Sequence, residues 1–251
     1  MTNADPAAAA HDGWRARRRA AVTAPTGNLS LVETRWFPTD TTPEQAEALV
    51  AAERAASPAG VTVTALSRTG IDTGAPEHGL RVWDADSPAI RAFEDIVAFP
   101  YDPDWVIDAR FAPVSADRTI PFEHIRDAGG SRNLVVPGDI VFERDGETFT
   151  LAAFDDGGTL LLVFGDPTNG RDDETGTYGS GRFLFVERDD AGGFGDAGTV
   201  RLDFNRAFVP PCGFSAQYNC PMPPPQNRFP WPVLAGERLV RFRDGFDIYT
   251  A

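Results

Sequence analysis

The sequence contains no lysine, because all 23 basic residues among its 251 are arginine. This absence excludes a lysine Schiff base and a phosphate-binding loop of the G-x-x-x-x-G-K type. No apolar run reaches the ~18 residues that a membrane-spanning helix needs. The first eleven residues have no charged start followed by an apolar core, so no signal peptide is predicted. We therefore expect a cytoplasmic protein.

Basic charge is also scarce relative to acidic charge, and the net charge is −14 at pH 7. A chain with this charge repels the phosphate backbone of nucleic acids and acidic membrane surfaces. We therefore expect no nucleic-acid or membrane partner, and a small molecule remains as the expected partner. The oligomeric state is not predicted by any pattern in the sequence.

Short runs of β-branched and aromatic residues, separated by Gly, Pro and Asp, predict about nine to ten strands. Asp145-Gly146 lies between two such runs and predicts a hairpin, and Asp156-Gly157-Gly158 predicts a second one. Tight turns join antiparallel strands. The predicted fold is therefore mainly β, an antiparallel sandwich or barrel-like domain, with a disordered tail over residues 1–12 and a single β-rich domain over 13–251.

One or two short helices are predicted near the N-terminus. The clearest covers Pro43–Ala56, where Thr42 can cap, Pro43 suits the first turn and Glu44 favours the helix dipole. Residues 14–21 form an Arg-rich helical segment, and a further short helix is predicted for 88–93. Near the other end, residues 209–232 are rich in proline, which rules out a ladder strand and predicts an ordered coil over the end of a sheet.

Polar side chains are concentrated in LDFNRAFVPPCGF, residues 202–214, among apolar neighbours. Several polar groups converging in an apolar segment are typical of a small-molecule site. Asp203 is predicted as a base or orienting acid, Arg206 as its catalytic partner, and both Arg206 and Arg182 as groups that hold an anionic part of the ligand. The complete set of predicted site residues is Tyr178, Arg182, Asp203, Asn205, Arg206, Cys212, Cys220 and Asn227.

Alternatives remain open. The same polar string can be a satisfied network that pins the Pro-rich coil, which would make the protein a structural or protein-interaction module without catalysis. No cofactor is predicted, but His78 and His124 each follow a glutamate and could bind a divalent metal in a metal-dependent enzyme. Cys212 and Cys220 are predicted as buried thiols, ahead of a disulfide, a metal site or a nucleophile.

Several segments resemble an uncharacterised prokaryotic family, the domain of unknown function 1684. The most specific is LDFNRAFVPPCGFSAQYNCPMPPPQN, residues 202–227, and the others include the Trp14-Arg15 element, GLRVWDADS (79–87), AFPYDPDWVIDARF (98–111), PGDIVF (137–142), and the FGDPTNG turn with GRFLFV (181–186). The family has no assigned activity, so the resemblance implies kinship and no particular chemistry.

Overall fold

A computed structural model describes residues 6–250 of the chain. Within that range lie the three α-helices α1 (Pro6–Val22), α2 (Pro43–Ala56) and α3 (Pro88–Ala92). The strands of the same range are β1 (Leu31–Trp36), β2 (Val61–Thr69), β3 (Pro76–Asp84), β4 (Phe93–Ala98), β5 (Val106–Pro113), β6 (Thr119–Glu123), β7 (Ser131–Val135), β8 (Gly138–Arg144), β9 (Glu147–Asp155), β10 (Leu160–Phe164), β11 (Arg182–Arg188), β12 (Gly198–Asp203) and β13 (Glu237–Phe242).

The predicted fold class is confirmed: the protein is mainly β, with antiparallel sheets and a closed six-stranded barrel. The described residues form thirteen strands rather than nine or ten. The additional strands are β4, β6 and β13. Strand β6 contains Pro121, which argues against a strand in a sequence pattern. Strand β13 buries Glu237 and exposes Leu239, which reverses the usual placement of charge and apolar side chains.

By its internal contacts the chain forms two compact units, each assembled from separate stretches. Within the described residues, the barrel unit comprises 6–12, 96–210 and 219–239, and the sheet unit comprises 13–95, 211–218 and 240–250. The sequence predicts one domain over 13–251. No linker marks the division, because each unit takes segments from distant parts of the chain.

Residues 6–12, predicted as part of a disordered tail, form the first part of α1; residues 1–5 lie outside the described part. Alanines at positions 7–10 favour a helix. His11 is buried within the barrel unit, where its Nε2 lies 2.9 Å from the carbonyl oxygen of Asn205 and its ring packs on Tyr101. That contact joins residues 194 positions apart, which local sequence patterns do not register.

The barrel has the strand order β10-β11-β12-β5-β8-β9, so the consecutive strands β8 to β12 are closed into a cylinder by β5. The Asp145-Gly146 hairpin joins β8 to β9 as predicted, with both turn residues at positive φ (53° and 81°). Inward-facing side chains fill the interior with a core that includes Phe111, Ile140 and Leu162, each fully buried. Among residues 6–250 the interior of the barrel is therefore packed with side chains rather than open.

The sheet unit contains the three antiparallel strands β1-β3-β2 with α2 packed against them. Helix α2 begins as predicted: Thr42 and Gln45 form a reciprocal capping box. Its buried side chain Val50 meets Val63 and Leu80 of the sheet in a small apolar core. No helix among residues 6–250 combines the length and apolar character needed to cross a membrane.

Close packing inside the barrel makes Gly138 a sensitive position. A Cβ atom built there would lie 2.3 Å from Cζ of the fully buried Phe111 and 2.9 Å from the carbonyl oxygen of Ala112. We expect Gly138→Ala to lower the free energy of unfolding by about 1–3 kcal/mol, as overpacking of a core does. Urea unfolding would measure this loss.

The matched control is Gly195→Ala, because a Cβ atom at Gly195 meets nothing within 4 Å and the backbone φ there is not positive. This control should change the free energy of unfolding by less than about 0.5 kcal/mol. Equal losses in both variants would contradict the packing described for β8 against β5.

Candidate functional site

Arg182, at the start of β11, is fully buried and pairs with the buried carboxylate of Asp166, whose Oδ2 lies 2.9 Å from Nη2. The same guanidinium donates to the carbonyl oxygens of Val233 (2.8 Å), Ala235 (2.5 Å) and Glu237 (3.3 Å). These carbonyls belong to alternate residues of one stretch of chain, residues 229–237, which we call the returning segment. Arg182 therefore holds the returning segment against the barrel, and an anionic ligand would have to displace these partners.

Asp166 completes this arrangement from the other side. Its Oδ1 accepts from the backbone N of Thr168 (2.9 Å), the Thr168 hydroxyl (2.6 Å) and the backbone N of Val233 (3.2 Å). Complete burial lowers the pKa of the Arg182 guanidinium, while the charge and hydrogen bond of Asp166 oppose that shift. Arg182 stays charged because an arginine pKa lies far above neutrality. Only Arg182 Nε lacks a hydrogen-bond partner in this network, within the described residues.

Asn227 continues the barrel ladder with its side chain. Strands β9 and β10 pair as far as Ala153 with Leu162. At the next position the Asn227 amide lies between the strands: Nδ2 donates to the carbonyl oxygens of Ala152 and Val163 (2.8 Å each), and Oδ1 accepts from Ala152 N (2.9 Å). These bonds satisfy backbone groups that would otherwise be buried without partners. They also engage the Asn227 amide, which the sequence predicts to bind a ligand.

Three further predicted residues lie together at the end of β12 and directly after it. Asn205 Oδ1 accepts from Asp102 N, and its Nδ2 donates to Asp102 O and to Oδ1 of Asp203, all at 2.9–3.0 Å. Arg206 Nε lies 3.2 Å from Asp203 Oδ2, and its Nη1 lies 2.6 Å from Oε1 of the exposed Glu187. Asp203 and Arg206 are therefore an ion pair at the barrel surface, and their catalytic role stays a prediction.

The remaining predicted residues are dispersed. Tyr178, half-buried, uses its backbone in the turn before β11: its N donates to Arg238 O, and its carbonyl accepts from Asn169 Nδ2. Cys212 belongs to the sheet unit and Cys220 to the barrel unit. Both are buried thiols, the state favoured from the sequence. The eight predicted residues therefore belong to several separate networks rather than to one pocket.

The sheet unit contains an apolar cavity of about 200 Å³. Part of its wall comes from the Pro-rich coil that the sequence singles out, but from positions other than those predicted. The lining residues are Leu29, Leu31, Val32, Ser87, Pro88, Ala89, Phe214, Ser215, Ala216, Gln217, Phe246 and Ile248.

Polar atoms at this cavity are few. The hydroxyls of Ser87 and Ser215 donate to the carbonyl oxygens of Leu29 (2.6 Å) and Leu31 (2.7 Å). Gln217 Oε1 accepts from the backbone N of Thr34 (3.0 Å), and no hydrogen bond from Gln217 Nε2 is present among residues 6–250. The hydroxyl oxygen of Thr34, a residue outside the lining, is buried and also has no partner in that range. The cavity thus has an available amide donor in an apolar wall.

Comparison with known protein families shows to which family the chain belongs. Residues 91–238 match the model of a family described as "Protein of unknown function (DUF1684)". The chain belongs to this family. The resemblance predicted from the sequence is thereby confirmed, and no activity comes with it. The matched DUF1684 region contains Asp166, Arg182 and Asn227, but it contributes only Phe214–Gln217 to the cavity.

Among solved structures, the chain is similar to an uncharacterised protein of Haloarcula marismortui determined by solution NMR. The identity is 31%, the TM-score is 0.45, and the match covers 58% of this chain and 77% of that one. No curated protein matches the chain.

The two histidines proposed for a metal lie in different units of this DUF1684 protein. Half-buried His78 lines a groove of about 490 Å³ beside α2, together with Glu47 and Arg54. His124 is buried in the barrel unit, where its Nδ1 lies 3.0 Å from Phe122 O. Among residues 6–250 no group of three or more His, Cys, Asp or Glu side chains is arranged to hold a metal ion.

Sequence reasoning missed Asp166 and Gln217. Asp166 begins the DPTN turn, where an aspartate followed two residues later by threonine is typical of a side chain that bonds its own backbone. That signal predicts the turn but not the ion pair with Arg182. Gln217 had no signal, since its partner Thr34 is 183 residues away.

The buried pair generates a stability prediction. Asp166→Asn removes the charge that compensates Arg182, and we expect the free energy of unfolding to fall by about 3–5 kcal/mol. The control is Glu187→Gln, which breaks the exposed pair with Arg206 and should cost less than about 1 kcal/mol. Urea unfolding of both variants measures the difference, and losses of similar size would refute a stabilising role for the buried pair.

His124 generates a pH prediction. Burial lowers its pKa from the ordinary value near 6.5, opposed by the hydrogen bond to Phe122 O and the charge of Asp127. The unfolded chain therefore takes up a proton at higher pH than the folded protein. The free energy of unfolding should fall as the pH drops through about 6.5 toward the folded pKa.

The comparison between pH 7.5 and 5.5 isolates this effect. Burial alone would raise the pKa of Asp127, but bonds from Arg132 and Asn219 lower it overall, so its contribution is lost only below pH ~4. His124→Asn should flatten the pH dependence over this window, whereas His78→Asn should retain it. A His124→Asn variant with the slope of the unaltered protein would contradict the assignment.

Proposed function

We propose that the protein binds a small, neutral and largely apolar molecule in the cavity of the sheet unit. The observation that carries this proposal is the apolar wall together with Gln217 Nε2, an amide donor that makes no hydrogen bond to the described part of the chain. Binding sites for small molecules are typically apolar hollows in which a few polar groups fix the orientation of the ligand. The Pro-rich coil supplies Phe214–Gln217 to this wall, which agrees with the site region expected from the sequence.

The size of the cavity limits the ligand. Drug-sized ligands occupy roughly 300–1,000 Å³, whereas an apolar cavity of about 150 Å³ accommodates benzene. A cavity of about 200 Å³ therefore suits a single ring with a short substituent. Because Gln217 Nε2 is a donor, the ligand should carry an acceptor such as a carbonyl oxygen.

The chemistry of the wall favours binding over catalysis. None of the twelve lining residues is titratable, and the two serine hydroxyls donate to backbone carbonyls rather than to a base. No charged side chain in the lining would compensate an anion, and a buried unpaired charge is costly. We therefore replace the anionic ligand expected from Arg182 and Arg206 with a neutral one.

The alternative of a structural or protein-interaction module is favoured by a different observation. Arg182, Asn205 and Asn227 direct their polar groups to backbone and side-chain partners within the barrel unit. On this proposal the barrel unit is a scaffold. A cytoplasmic location is compatible with both functions, because the two buried thiols suit a reducing compartment.

The test uses acetophenone as the probe, with ethylbenzene as the analogue lacking the acceptor and benzoate as the charged analogue. In ¹H–¹⁵N NMR spectra acetophenone should shift the Gln217 side-chain signals, and benzoate should not. Ala89→Phe fills the cavity and should abolish these shifts. Ala52→Phe, on the exposed face of α2 and outside the lining, is the matched control and should leave them unchanged.

Gln217→Glu tests the donor separately, because it keeps an acceptor for Thr34 N and removes the amide hydrogens. Loss of one hydrogen bond is worth about 0.5–1.5 kcal/mol. The preference for acetophenone over ethylbenzene should therefore fall by roughly 2- to 10-fold. Binding of none of the probes, or tightest binding of benzoate, would refute the proposed ligand class.

A further inference from the structure

Aromatic rings are concentrated at one end of the barrel, where β8 ends and β5 begins. Trp105 precedes β5, Phe149 lies near the start of β9, and Trp231 comes from the returning segment. The ring centroids of Trp105 and Trp231 are 5.8 Å apart, and those of Phe149 and Trp231 are 5.7 Å apart at 77°. Phe229 stacks on Trp231 at 4.4 Å and fixes that indole in place. We call Trp105, Phe149 and Trp231 the aromatic cage.

A cation of the protein itself already lies against both indoles. The guanidinium carbon of Arg144 lies 4.4 Å from the ring centroid of Trp105 and 4.6 Å from that of Trp231. Its guanidinium makes no hydrogen bond within residues 6–250, and its nearest carboxylate there is the exposed Asp145 at 3.8 Å. The faces of the two indoles are therefore the main protein contacts of this charge.

Arg188 also lies near an aromatic ring, but unlike Arg144 it is held in place by hydrogen bonds. Its guanidinium lies 5.1 Å from the Phe111 ring centroid and also bonds Asp190 Oδ1 (2.9 Å) and the carbonyl oxygen of Gly193 (2.8 Å). Displacing Arg188 would break these bonds, whereas displacing Arg144 exchanges one cation over the indoles for another. Arg144 also lies beside the Asp145-Gly146 turn, so its side chain can swing toward solvent without disturbing the barrel interior.

We propose that the aromatic cage is a binding site for a quaternary ammonium ligand and that Arg144 fills it when the ligand is absent. A quaternary ammonium has no hydrogen-bond donors, and the Arg144 guanidinium uses none of its donors within residues 6–250, so charge and shape suffice for recognition. Aromatic faces bind such cations through their quadrupole, with about 0.5–2 kcal/mol for each ring.

The charge of the protein supports a cation at this position. Asp104 adjoins Trp105 in the sequence, Asp145 adjoins Arg144, and Glu147 begins β9. The net charge of −14 adds a field that concentrates cations and repels anions. This site lies in the barrel unit and is independent of the cavity proposed for the neutral ligand.

The experiment titrates choline into the full chain and follows the indole N–H signals of Trp105 and Trp231 by NMR. Arg144→Ala vacates the cage, and we expect choline to bind this variant at least tenfold more tightly than the unaltered protein. Arg144→Gln serves as a second variant with the same expectation. Arg110→Ala removes an equal charge from an exposed position on β5 and should leave the affinity close to that of the unaltered protein.

The neutral isostere 3,3-dimethylbutan-1-ol separates charge from shape and should not shift the indole signals at concentrations that saturate with choline. Adding Trp231→Leu to Arg144→Ala should reverse the gain, seen through Trp105. The proposal is overturned if neither Arg144 variant binds choline more tightly than Arg110→Ala, or if the isostere binds as tightly as choline.

Discussion

The barrel unit depends on one buried ion pair, because Arg182 and Asp166 join three parts of the chain that are distant in sequence. Asp166 fixes the turn after β10, Arg182 begins β11, and both bond the segment around Val233. Two charges removed from water are tolerated only with good geometry and further hydrogen bonds. The carbonyls of residues 233, 235 and 237 supply those bonds. The returning segment must therefore follow a path that places its three carbonyl oxygens within hydrogen-bond distance of the Arg182 guanidinium.

Features governed by neighbouring residues could be predicted from the sequence, and features governed by distant partners could not. The start of α2 follows from Thr42 and Pro43, and the β8–β9 hairpin follows from Asp145-Gly146, since each signal lies within four residues. Strand β13 was missed because Glu237 is buried only where Val209 N meets its carboxylate. The division into two compact units has no signal in the sequence either, since each unit is assembled from stretches that are distant along the chain.

The Pro-rich coil shows why polar residues in an apolar segment do not identify a site by themselves. Such residues have two uses: they can face a ligand, or they can satisfy backbone groups where regular pairing ends. Asn227 has the second use, and its amide replaces a rung of the β9–β10 ladder. The side-chain oxygen of Gln217 accepts a hydrogen bond from the backbone N of Thr34, and its amide nitrogen makes no hydrogen bond within residues 6–250. The sequence cannot distinguish the two uses, because an amide side chain is the same residue type in both. The distinction depends on which groups lie next to that side chain in the folded protein.

The absence of lysine acquires a structural meaning at these sites. A guanidinium has five donors in a plane, whereas an ammonium has three on a compact head. Arg182 needs four of those donors to reach one carboxylate and three carbonyls, which a lysine could not satisfy. Arg144 places the same group against two indoles, with its guanidinium carbon 4.4 Å and 4.6 Å from the ring centroids of Trp105 and Trp231. One residue type thus serves as a fixed connector at Arg182, where four of its five donors are engaged, and as a cation against aromatic rings at Arg144, where its guanidinium makes no hydrogen bond within residues 6–250.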